Sequence, residues 1–153
     1  QMGDQVYIVA PSQNGLEVYG IKQNVDQWIE STTQEIKKYT NRPIKVRKKM
    51  PKKARGSRGF CDSLENIYCV VSLHTMAMTE ALREGCPVIS LVPGCLKDYS
   101  VNSIDKINNL YYPENRQYLF NCLTNLQFNS DELISGFAWN TISKYYGINI
   151  TKI

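Results

Sequence analysis

The chain has 153 residues, 42% of them hydrophobic and 21% charged, with a formal net charge of +4 at pH 7. That length suits one domain, expected over residues 2–153, and the apolar content is enough for a packed core, which excludes a wholly disordered protein. Apolar runs never approach the roughly 20 residues that a membrane span needs, and the N-terminus carries no signal-peptide pattern.

Val6–Ala10 is a short, β-rich apolar run that Pro11-Ser12 ends, which predicts a buried strand entering a loop punctuated by Gly15 and Gly20. Asn24 with Gln27 three residues on forms a capping box, and Val25, Trp28, Ile29, Thr32, Ile36 and Tyr39 recur at helical spacing, so a helix is expected over 25–39. Asn41 and Pro43 stop it. Ile44 and Val46 alternating with Lys45 and Arg47 suit a second strand. The stretch from Lys48 to Gly59 lacks periodicity and predicts a loop, with a short helix over 61–66. Ile67–Leu73 has the unbroken apolar character of a strand buried on both faces. Thr75 caps a helix that runs to Glu84 and ends at Gly85, and a fourth strand covers Val88–Val92. Beyond it, 101–109 is weakly helical, Pro113 opens a helix through Leu126, and Asn129 with Glu132 caps another that runs on through Ile142 and Tyr145 to Gly147. Strand–helix alternation of this kind implies an α/β fold: a Rossmann-like parallel sheet with flanking helices, followed by a helical C-terminal tail. Trp28, Trp139, Met76 and Met78 are expected to be packing residues.

Charge is unevenly spread. Nine of the 18 basic residues lie between Arg42 and Arg58 with no acidic residue among them, and the other nine face 14 acidic ones, a balance of −5. Such a segment attracts phosphates or polyanions, or serves as a solvated loop. The five cysteines form no C-x-x-C pair and there is one histidine, so no structural zinc site is expected, and free thiols fit a reducing, cytoplasmic setting. No paired carboxylates, Cys–His pair or metal cluster stands out in the sequence as a self-sufficient active site.

Ligands of open parallel sheets bind beyond the carboxyl ends of the strands. Three segments meet that rule: Pro11–Gly15, Arg47–Lys49 and Ser72–Met76. The hydroxyls of Ser12 and Ser72, the cations of Arg47, Lys48 and Lys49, and the helix start at His74-Thr75-Met76, whose free amides and dipole favour phosphate, together suit a nucleotide diphosphate.

The segment from Ser72 to Ile89 contains Glu80-Ala81-Leu82, Gly85 and Pro87-Val88-Ile89 after a turn with Ser72 and Thr75. It resembles the E-A-L-x-x-G-x-P-V-I signature in the C-terminal domain of GT-B glycosyltransferases, a group that includes capsule-polysaccharide transferases and the UDP-N-acetylglucosamine 2-epimerase-like proteins. Tyr111-Tyr112-Pro113 and Glu132–Trp139 are similar to the ending of short transferase-like proteins from bacteriophages. The resemblance covers about 67–139 and implies a domain that binds a nucleotide-sugar donor, UDP-linked, for metal-independent transfer to an acceptor held by a second domain or partner chain. It implies that His74 and Thr75 meet the donor's phosphates and Glu80 its ribose, with Arg47 and Lys48 near the phosphates. Many relatives carry a His-Pro pair at that basic position, which this chain lacks. No cofactor beyond the nucleotide-sugar is expected. Without the resemblance, Glu80 is a surface helix residue and His74 a packing or capping residue. The basic stretch 42–58 then makes the chain a nucleic-acid or anionic-partner module on a non-catalytic scaffold.

Overall fold

The computed structural model describes residues 3–48, 60, 64–125 and 127–147. Four strands, β1 (Gln5–Val9), β2 (Ile44–Arg47), β3 (Ile67–Ser72) and β4 (Val88–Ser90), form one sheet in the order β2-β1-β3-β4, and every pairing is parallel. β3 is buried along its whole length, as its unbroken apolar sequence requires, while the outer strand β2 has half-buried Ile44 and Arg47 at its ends and exposed Lys45 and Val46 between them. β4 is shorter than its sequence suggests. Beyond Ser90 the chain turns away, and a parallel bridge from Ile89 to Val101 covers the outer edge of β4 instead.

The helix α2 (Val25–Lys37) begins at Asn24 with both hydrogen bonds of the capping box in place. It buries Trp28, Thr32 and Ile36, one residue per turn, on a core that includes Val6, Ile8, Cys69, Val71 and Ile89. A helix α3 (Met76–Arg83) links β3 to β4 and buries Met78, Ala81 and Leu82. Met78 packs as expected, whereas Met76 is 62% exposed. Gly85 ends α3 at φ +83°, a left-handed conformation that a side chain penalises.

Several elements differ from the sequence reading. A further helix, α1 (Gln13–Val18), occupies the stretch expected to be a loop. Residues 64–66 form a turn rather than the end of a helix, with Asn66 at φ +59°, and 61–63 lie outside the described residues. Residues 101–109 contain a single 3-10 turn at Ile104–Lys106, tied to the sheet by the Tyr68 hydroxyl donating to the Ile107 carbonyl at 2.9 Å. At the amino end of the sheet, the amides of Asp4 and Gln5 both donate to the Asn66 carbonyl at 3.1 Å, and Gly3 lies so close that an added Cβ would fall 2.1 Å from the Asn66 carbonyl carbon.

The chain divides into two compact units, Gln1–Glu114 and Asn115–Ile153. The second contains α4 (Arg116–Asn125), α5 (Ser130–Ile134) and α6 (Phe137–Tyr146). The capping box at Asn129 and Glu132 is present, but the helix expected to run unbroken to Gly147 is interrupted at Gly136, φ +77°. Trp139 is 46% exposed and so is no packing anchor. Among the described residues no helix is long and apolar enough to cross a membrane.

Candidate functional site

From β1 the chain crosses to β2 on one side, then passes back over β1 to β3 on the other. The sheet's topological switch point therefore lies between β1 and β3, and the crevice beyond their carboxyl ends is where open α/β sheets bind ligands. Four of the eight candidate residues stand at the end of β3 or in the turn after it: Ser72, His74, Thr75 and Met76. Ser12 follows β1, Arg47 ends β2 opposite Val9, Lys48 follows it, and Glu80 lies one turn into α3.

Their side chains are not equally free. Ser72 is fully buried and its hydroxyl donates to the Val9 carbonyl at 2.6 Å, so it fastens β1 to β3 and has no proton to offer a ligand. A residue at a strand end points to either face, and here the Ser72 side chain turns to the backbone of the neighbouring strand. Ser12 caps α1, its oxygen accepting from the Gly15 amide at 3.2 Å. Capping uses the oxygen as acceptor and leaves the O–H proton able to donate outward. Thr75 caps α3 in the same way, accepting from the Ala77 amide at 3.4 Å, while its carbonyl takes the Met78 amide. Met76 is the first residue of α3, and helix geometry gives its N–H no intrahelical acceptor. Glu80, four residues on, shares the face of Met76, away from the buried Met78–Ala81–Leu82 stripe.

The cations of the basic stretch that fall within the described residues have partners. The Arg47 guanidinium lies 5.1 Å from the Phe60 ring centroid, and Lys48 pairs with the Asp26 carboxylate at the start of α2. Lys45 lies 5.0 Å from the centroid of Tyr7, which stacks on Phe60, and Arg42 sits 3.7 Å from that of Tyr68. Arg47 and Lys48 thus stand at the rim, with their charges turned to neighbours. Lys49 and the rest of the stretch to Arg58 lie outside the described residues.

His74 has a neighbour that the sequence does not reveal. Its ring lies against Gly94, where an added Cβ would fall 2.7 Å from Nδ1, and its Nε2 is 4.0 Å from the Cys95 Sγ. The two residues are 21 positions apart and come together because each follows the carboxyl end of one of two adjacent strands, β3 and β4. The one available signal is that shared position after successive strands.

A depression of about 560 Å³ elsewhere in this unit is lined by Glu35, Tyr39, Leu91 and residues 102–105, and includes none of the eight candidates. Its ionisable groups are Glu35, Tyr39 and Asp105, and a hydrogen bond from Lys38 holds the Glu35 carboxyl below its ordinary range. Its lining carries carboxylates and no lysine or arginine, which does not suit a phosphate. Compared with protein-family models, with curated proteins and with solved structures, the chain matches none.

Proposed function

We propose that this chain binds a nucleotide-sugar donor, a UDP-sugar, at the carboxyl rim of β1 and β3, as the donor half of a metal-independent glycosyl transfer. The observation that carries the reading is the start of α3 at the switch point of an all-parallel sheet, with an N-terminal amide at Met76 and the capping hydroxyls of Thr75 and Ser12, whose protons the caps do not use. A helix start offers donors and a positive dipole end to phosphate oxygens, and backbone donors serve any nucleoside diphosphate. Selectivity for the ribose falls to Glu80, whose carboxylate is one helical turn, about 5–6 Å, beyond Met76. Two adjacent ribose hydroxyls can donate to one carboxylate. The acceptor is then held by a second domain or partner chain.

Calorimetry with UDP tests this. Binding is expected, and Glu80→Ala should weaken it on the order of tenfold, the loss of one or two charge-assisted hydrogen bonds. Absence of binding by any common nucleoside diphosphate, or equal affinity in the variant, overturns it. DNA in the same instrument separates the alternative: affinity falling with salt at a slope near −0.9 per phosphate contact, without nucleotide binding, assigns the chain to polyanions instead.

A further inference from the structure

Every thiol among the described residues except one is wholly or partly buried. Cys69 lies in the core of β3, where burial pushes its thiol far above its ordinary range. Cys86 is half-buried and pushed up to about 12 by burial, and Cys122 is also half-buried. Cys95 is exposed, and it faces an imidazole. Gly94 has no side chain, so the His74 ring can lie close against it with Nε2 4.0 Å from Sγ. A thiol with a positioned base is the arrangement of a reactive cysteine, because the thiolate and not the thiol is the nucleophile.

We propose that His74 and Cys95 form a reactive-thiol site that exchanges with low-molecular-weight disulfides, giving a mixed disulfide at Cys95. His74 Nε2 accepts the Sγ proton, and the thiolate attacks one sulfur of the small disulfide. A bond forms between Cys95 and that half, and the original sulfur–sulfur bond breaks. The other half leaves as a thiolate with the electron pair and takes the proton from the imidazolium. Cys95 is oxidised and the departing half reduced, so the step balances with no other reactant. The inference is independent of the donor reading, since it is tested without nucleotide.

The test is the intact protein with oxidised glutathione, following adduct formation at Cys95 by peptide mass spectrometry. A free thiol near pH 7 is only a few per cent thiolate, so a base that accepts its proton raises the thiolate about thirtyfold at most, and the lower nucleophilicity of a better-stabilised thiolate reduces the net gain to the order of tenfold. Adduct formation should therefore slow by that factor in His74→Ala, and added imidazole should restore part of the rate. In Gly94→Ala the new Cβ displaces the ring and the rate should fall similarly, with circular dichroism confirming that each variant is folded. No adduct at Cys95, equal rates in the protein and both folded variants, or slowing in His74→Ala that imidazole does not relieve, overturns the proposal.

Discussion

Ser72 and Val9 are joined by a hydrogen bond between positions 63 apart in the chain, at the point where the two central strands emerge from the sheet. Removing the hydroxyl leaves a buried carbonyl without that donor, so Ser72→Ala should destabilise the protein by about 1–2 kcal/mol in urea unfolding. Because the hydroxyl is consumed within the fold, the same variant should bind UDP as the unaltered chain does; a drop in affinity without a drop in stability would place Ser72 back among the ligand contacts. A serine at the end of an apolar run is visible in the sequence, but the direction it faces is decided by a strand five dozen residues away. His74 shows the same limit in reverse. Its position after β3 was legible, while its pairing with Cys95 depends on β3 and β4 being neighbours and on a glycine that lets the ring approach.

Elements with a chemical start and stop were legible. α3 has Thr75 at one end and Gly85 at the other, and α2 has its capping box. Gly85 holds φ +83°, so Gly85→Ala should cost about 1 kcal/mol and lower Tm by roughly 3 °C, read by thermal unfolding. An unchanged Tm would mean that the loop after α3 relaxes out of the left-handed conformation. α1 was missed because it is six residues long and contains Gly15, which suggests a loop; what supports it is the Ser12 cap and burial of Leu16. The break between α5 and α6 was hidden for the opposite reason. Apolar spacing continues straight through Gly136, and periodicity records a shared face without recording whether anything covers it: Ile134 is 85% exposed.

At the scale of the whole molecule, strand–helix alternation was enough to give the parallel sheet, and the sheet order then locates the switch point between β1 and β3. The edges of the site were less legible, because the basic stretch advertises charge while its described members spend theirs on Phe60, Tyr7, Tyr68 and Asp26. The buried thiols give the fold a pH signature. Burial raises Cys86 from an ordinary value of 9.0 to about 12, and Cys69 shifts in the same direction. Above the unfolded value the unfolded chain loses these protons while the folded chain keeps them, so stability is fully present below pH 9.0 and falls as pH rises toward 12. Urea midpoints across that range should decline, and Cys86→Ala should flatten the decline. An identical decline in the variant would remove Cys86 as its source.

The close fit of Gly3 over the Asn66 carbonyl fixes where the chain enters the sheet: at the amino end of β1, five residues and about 16 Å from the rim where α3 begins. A bulky label attached at that glycine therefore sits at the end of this sheet opposite the carboxyl rim and the Cys95 thiol.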